Sequence, residues 1–272
     1  MSYLDTIIHH KRQEVALRAS LYPEKLLQQS LFFSTGTVSF AHYLERKDKT
    51  GIISEFKRAS PSAGVINTEA PVAETTVAYM QAGSSALSIL TDEKYFNGSL
   101  RDLQKAREMN YCPILQKDFI ISPYQLIEAK AYGADAVLLI AAVNTKQQLK
   151  DLHSQAYDLG LEVLTEIHDA QELEKVPAKA SLIGVNARDL TTFKVSIEQQ
   201  LAIIKEVPSN CLAIAESGIR KPEDIIALET AGYKGFLMGT LFMEESQPGK
   251  ACKRFSNKLK DIRKEVNYEA TQ

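Results

Sequence analysis

Eight short apolar runs, rich in β-branched residues, recur along this chain at the spacing of strand–helix units. They are GIISEFK (51–57), ALSIL (86–90), CPILQK (112–117), DAVLLIA (135–141), LEVLTEI (161–167), SLIGVN (181–186), CLAIAES (211–217) and GFLMG (235–239). Their starts lie roughly 20 to 35 residues apart, enough for a strand, a helix and two short loops per unit. Near-continuous apolar character fits parallel strands covered on both faces. The intervening segments carry helix punctuation. SPYQLIEAKAYG offers Ser122 as N-cap, Pro123 at the first helical position and Gly133 at the stop. A second helix is read from Asn144 to Gly160, and a third from Pro222 to Gly232. Glycine at such stops can take the left-handed conformation that ends a helix.

Eight β-α units in one chain point to an α/β fold of the (β/α)8 barrel type. An open doubly wound sheet is the alternative. It generally uses fewer strands, and no Gly-x-Gly-x-x-Gly follows the first run. Residues 51–265 form the barrel in this reading. Residues 1–50 stand outside the repeat. Leu4, Ile7, Ile8 and Val15 have helical periodicity, and PEKLLQQSLFF and SFAHYLER read as further short helices. The reading is a helical extension packed on a single barrel domain, with 266–272 as a loose polar tail. No low-complexity linker marks a second domain.

Composition narrows the function classes. The 272 residues are 44% hydrophobic and 24% charged, with a net charge of -2. Nothing there points to a nucleic-acid or membrane partner. No apolar run approaches bilayer length, and Ile7-Ile8 before HHKRQE is too short for a signal-peptide core. Cys112, Cys211 and Cys252 fit neither a metal ribbon nor a disulfide framework. Cys112 and Cys211 each open an apolar run and read as buried thiols, so a reducing cytoplasm is expected.

In such barrels the active site lies at the C-terminal ends of the strands. There the runs deliver Glu55 and Lys57, Thr91 and Asp92, Lys117 and Asp118, Glu166, Asn186, then Glu216, Ser217 and Gly218, and finally Gly239 and Thr240. Glu55 and Lys57 are two apart on one strand and share a face. Each residue alone has a bland reading: Lys57 turned to solvent, Lys117 on the surface, Glu166 or Asn186 capping a helix. Arrival at one end of at least five strands is harder to explain without chemistry. The glycines of ESGI and MGT bring bare backbone N–H groups where the usual phosphate site of such barrels lies, and Thr240 adds a hydroxyl. Lys57 reaches the same place if strand one neighbours strand eight. The five histidines read as structural, His168 settling a turn after its strand, and none has metal-ligand spacing.

The run SEFKRASPSAG resembles the EIKKASPSKG signature of the indole-3-glycerol-phosphate synthase family. TDEKYFNGS (91–99), LQKDFIISPYQLIEA (115–129), VLTEIHD (163–169), IGVNARDL (183–190), AESGI (215–219) and GFLMGTLFM (235–243) continue it in order. The resemblance covers about residues 1–265. It implies a (β/α)8 barrel that converts 1-(2-carboxyphenylamino)-1-deoxyribulose 5-phosphate to indole-3-glycerol phosphate, CO2 and water, with no metal or organic cofactor. It implies Lys117 as general acid in ring closure, Glu166 with Lys57 handling protons in dehydration, Glu55 beside them and Asn186 orienting the substrate. Arg188 would lie near the substrate, and Glu216 and Ser217 would complete the rim. Gly218, Gly239 and Thr240 with Lys57 would grip the phosphate. Ser60 and Pro61 would wall the chamber, with Pro61, Phe96, Phe119 and Leu138 around the anthranilate ring. A small sugar phosphate is the implied partner of a monomer, with other tryptophan-pathway enzymes as neighbours. The chain departs from the family at Phe56, expected to face away from the interior, at Gln116 and Phe236, and at Thr240, where serine is usual. It has no tryptophan, so an aromatic from the N-terminal helix must be another residue.

Overall fold

The computed structural model describes residues 3–188 and 196–269. Eight parallel strands close into a barrel: β1 Ile52–Phe56, β2 Ala86–Leu90, β3 Ile114–Lys117, β4 Ala136–Ile140, β5 Glu162–Ile167, β6 Leu182–Asn186, β7 Leu212–Glu216 and β8 Gly235–Met238. Ring closure is the pairing of β1 with β8, Ile53 opposite Leu237. The open-sheet alternative is thereby excluded.

The helices are α1 Tyr3–Leu21, α2 Glu24–Leu27, α3 Phe40–Glu45, α4 Val72–Gln81, α5 Glu93–Phe96, α6 Leu100–Met109, α7 Pro123–Ala131, α8 Lys146–Asp158, α9 Ile197–Ile203, α10 Pro222–Ala231, α11 Thr240–Met243 and α12 Pro248–Glu269. The unit after β5 has a 3-10 turn, Ala170–Lys175, in place of a full helix. Helix ends follow local chemistry. Ser122 is the N-cap of α7, although its hydroxyl makes no cap hydrogen bond. The N-cap of α8 is Thr145, one residue later than Asn144, because Thr145 and Gln148 complete a reciprocal capping box. Asn144 is buried instead and donates to the carbonyls of Ile120 and Ile140. Where the sequence reads a loose tail, α12 continues to Glu269. Residues 270–272 lie outside the described ones, as do Asp189 and Leu190 of the IGVNARDL stretch.

Alternation along each strand divides the core into two layers. Ile53, Leu115, Leu138, Leu164, Leu182, Ile214 and Leu237 fill the barrel. Ile52, Phe56, Ile114, Val163 and Phe236 face the helices. Phe56 thus turns outward, with the Arg58 guanidinium 4.8 Å above its ring. Of the three thiols, Cys112 and Cys252 are buried; Cys211 is only half-buried and donates to the Ala180 carbonyl at 3.1 Å.

The extension meets the barrel at both ends. Phe40 and Leu44 of α3 join the interior layer as its floor. At the opposite end α1 inserts Lys11, which is completely buried. Its ammonium lies 2.7 Å from Asp92, 2.8 Å from Asp118 and 3.0 Å from Glu14. Asp92 also caps α5, and Asp118 accepts from the Phe119 backbone N–H. One buried cation therefore ties the extension to the loops after β2 and β3. Among the described residues no helix is long and apolar enough to cross a membrane.

Candidate active site

A chamber of about 720 Å³ opens at the C-terminal ends of the strands. The inward positions of β1, β3, β5, β6 and β7 carry Glu55, Lys117, Glu166, Asn186 and Glu216 into it, with Lys57 just beyond the end of β1. The Lys117 ammonium sits 2.9 Å from Glu166 Oε2 and 3.2 Å from Glu216 Oε2. Lys57 lies 2.9 Å from Glu55 Oε1, while Ser88 donates to Glu55 Oε2 at 3.2 Å.

A missing side chain explains how two carboxyls crowd together. Gly184 stands opposite Glu166 in the β5–β6 pairing. A Cβ there would lie 2.0 Å from Glu216 Oε1, so the glutamate of β7 occupies the space a side chain on β6 would fill. Gly239 plays the same part for β1, since its Cβ would come within 2.8 Å of Glu55 Oε1.

Burial and charge split the titration of this group. Burial works against the Lys117 ammonium, but Glu166, Glu216 and Glu55 outweigh it and hold its pKa above the ordinary value. Burial also disfavours the Glu166 carboxylate. Lys117 and His168 overcome that and keep it well below the usual carboxylate range. For Glu216 burial wins, against Lys117 and with help from Glu166, and the carboxyl is pushed up to about 8. At neutral pH the pair therefore holds one proton, centred on Glu216.

The remaining residues singled out in the sequence line the same chamber: Ser60, Pro61, Phe96, Phe119, Leu138, Arg188, Ser217, Gly218, Gly239 and Thr240. The Phe96 and Phe119 rings pack at 6.1 Å, tilted by 46°. Asn186 Oδ1 accepts from the Arg188 backbone N–H at 3.0 Å, and the Arg188 guanidinium donates to Ser62 at 3.1 Å. That contact bridges the loops after β6 and β1. Ser217 and Gly218 both have positive φ, 65° and 85°. A left-handed serine is uncommon and costs strain. It turns the chain sharply at the rim.

Three features escape sequence reasoning. Asp92 and Asp118 sit at the rim, but their carboxylates are taken up by Lys11. Tyr3, Leu4 and Ile7 of α1 line the chamber, and Tyr3 is the aromatic residue that this tryptophan-free helix brings to it. His168 does more than settle a turn: its Nε2 lies 3.3 Å from Glu166 Oε1. The period-two pattern was a usable signal for it, since 168 is the next inward position after 166. Among the described residues no group of three or more His, Cys, Asp or Glu is arranged to hold a metal ion.

The profile of a family described as indole-3-glycerol phosphate synthase matches residues 4–255. The chain belongs to the indole-3-glycerol phosphate synthase family. The family member from Bacteroides thetaiotaomicron is 46% identical over 93% of this chain and 96% of its own length. The one from Bordetella pertussis is 40% identical over 90% and 95%. Among solved structures, a 3-hexulose-6-phosphate synthase superposes with a TM-score of 0.61 at 14% identity, covering 76% of this chain and 98% of that one. A mandelate oxidase variant gives 0.60 at 14% identity, covering 91% and 93%. At such identity these likenesses concern the barrel alone.

Proposed function

We propose that this protein is an indole-3-glycerol-phosphate synthase, a carboxy-lyase of tryptophan biosynthesis. It closes the ring of 1-(2-carboxyphenylamino)-1-deoxyribulose 5-phosphate with loss of CO2 and water. One observation carries the reading: two lysines, each seated on a carboxylate, converge with those carboxylates on a single chamber.

In ring closure the carboxyl-bearing aromatic carbon attacks the ketone carbon of the sugar. The carbonyl oxygen gains negative charge, and the Lys117 ammonium stabilises and protonates it. Such general acid help is worth about 10²–10⁴-fold. Loss of CO2 leaves its electron pair in the ring and restores aromaticity. Dehydration then needs a base on carbon and an acid on oxygen. Glu166, held ionised, takes the proton from the carbon next to nitrogen, and Lys57 protonates the departing hydroxyl. Two protons are given and one is taken, which balances the carboxylate charge consumed.

The apolar half of the chamber suits the anthranilate ring, with Phe96, Phe119, Leu138 and Pro61 around it. Asn186 and Arg188 orient the polar chain, and Ser60, Glu216 and Ser217 complete the walls. The backbone N–H groups of Gly218, Gly239 and Thr240, with Lys57 across the β1–β8 seam, take the phosphate. That grip holds a flexible substrate in near-attack geometry. The ammonium groups supply the positive charge the reaction needs, so the reading calls for no metal or organic cofactor. It places the protein in the cytoplasm, acting as a monomer on a small sugar phosphate.

A Schiff-base role for Lys117 requires a neutral amine, and the acidic groups around it, Glu166 foremost, hold it charged instead. The test is incubation with the carboxyphenylamino-deoxyribulose phosphate while indole fluorescence is followed. Turnover indifferent to a chelator is expected, as is loss of at least 10²-fold in Lys117→Ala with the fold intact. Absence of indole product from the unmodified protein, or near-normal kcat in Lys117→Ala, refutes the assignment.

A further inference from the structure

His168 lies one residue past β5, on the face that Glu166 shares. Its backbone is fixed from two sides. Its N–H donates to Glu172 Oε2 at 2.8 Å, and its carbonyl accepts from Gln199 of α9 at 2.7 Å. Asp169 caps the 3-10 turn that carries Glu172 and turns that glutamate back over the ring. The imidazole is then held between two carboxylates, Nε2 at 3.3 Å from Glu166 Oε1 and Nδ1 at 3.5 Å from Glu172 Oε2. These are ion-pair distances without the alignment of a strong hydrogen bond. The ring is almost enclosed, and it does not line the chamber.

Lys117 alone is a poor guarantor of Glu166. Its ammonium is shared with Glu216, and its hydrogen bond goes to Oε2 of Glu166. Oε1 is the oxygen the imidazole approaches, at 3.3 Å. We propose that His168 is a positioning residue for Glu166, clamping the second carboxylate oxygen between β5 and Glu172 so that the group stays ionised and aimed into the chamber. The proposal rests on the role given to Glu166 above.

The electrostatics agree with the geometry. Burial opposes a charge on the ring, but Glu166 and Glu172 outweigh it and push the imidazole up to about 10. The other titratable or charged groups near the clamp are Lys117 on β3, which shares Glu166, Glu216 on β7, whose carboxyl faces Glu166 and keeps its proton up to about pH 8, and Lys175 on the 3-10 turn. Lys175 donates to the Ala141 carbonyl. Glu172 is in turn held below its usual range: burial raises it, and His168 more than reverses that. The arrangement is a row of alternating charge, Lys117, Glu166, His168, Glu172, running from the chamber to the rim. Removing the imidazolium leaves Glu166 buried with half a partner, which raises its affinity for a proton.

The experiment has two arms. In the unmodified protein the ring carbon and nitrogen NMR signals of His168 are followed from pH 5 to 9. They are expected to stay those of an imidazolium through pH 8, and in Glu166→Gln to titrate at lower pH. In the second arm kcat and KM are measured for His168→Asn against wild type. KM is expected to stay within about twofold, because the ring does not touch the chamber. As pH falls from 8 towards 5 the wild-type to variant ratio of kcat should widen, reaching about tenfold one unit below the pH at which Glu166 titrates in the variant. Glu172→Gln should show the same trend more weakly, and it covers the case in which His168→Asn does not fold. A neutral imidazole at pH 7, or a kcat ratio independent of pH, overturns the proposal. If the wild type makes no indole product, the reaction assignment fails, and the NMR arm still decides whether the clamp exists.

Discussion

Replacing Lys11 with methionine tests how the extension is fastened. The substitution keeps most of the side-chain length and removes only the ammonium. Asp92 and Asp118, both fully enclosed, are then left as buried carboxylates without their cation. Breaking a buried ion pair from one side costs about 3–5 kcal/mol, because the other charge stays uncompensated. For a chain of this size each kcal/mol moves the melting temperature by roughly 2–4 °C, so a fall on the order of 10 °C is expected. The assay is equilibrium urea unfolding at pH 7 with a thermal melt alongside. Lys105→Met serves as the control, since that lysine is half exposed and pairs only with Glu108 on its own helix. It should change stability by less than about 0.5 kcal/mol. Acid gives a second reading of the same cause. Burial pushes the Asp118 carboxyl up, but Lys11 and the Thr91 hydroxyl outweigh it and hold it below its usual range. Its contribution is therefore present above the ordinary carboxylate pKa and is lost as pH falls through the lower folded value. In the variant burial acts unopposed by Lys11, and protonation relieves the strain. The gap between the two proteins should be widest near neutrality and narrow as pH falls through about 4. A Lys11→Met protein as stable as the control at pH 7 refutes the reasoning.

Gly184→Ala puts a methyl where Glu216 Oε1 now sits. A carboxyl displaced by about 1 Å should cost on the order of 10²-fold in kcat while circular dichroism stays native; a change under about threefold refutes the packing argument. Glu216→Gln mimics the protonated acid. If the proton that leaves near pH 8 belongs to Glu216, the alkaline limb of the wild-type kcat profile should flatten in this variant, and a limb that persists assigns it to another group.

Much of the barrel is legible in the sequence because a strand covered on both faces must be apolar along its length, and eight such runs are hard to miss. The inward acids and amines at the strand ends are legible for the same reason: polar residues stand out at positions whose neighbours are all apolar. Alternation fixes the face a side chain takes, yet it says nothing about lateral partners. Asp92 and Asp118 therefore read as rim acids, while their cation comes from about a hundred residues earlier in the case of Asp118. Glycine in β6 looks like a weak strand former until the side chain leaning across from β7 is known. His168 reads as structural in the sequence because a histidine after a strand has many idle explanations, and only Glu172 folding back over it removes them.

The floor of the barrel has a consequence for how the chain is made. Phe40 and Leu44 leave the ribosome early, yet they pack with Leu237 and beside Gly235, almost the last barrel residues to be synthesised. Contacts so distant in sequence form slowly, and apolar groups that wait for them are open to wrong company. Ile53 and Ala86 of the early strands can cover this plug only in part, so the nascent chain carries an incompletely buried floor until its final strand arrives.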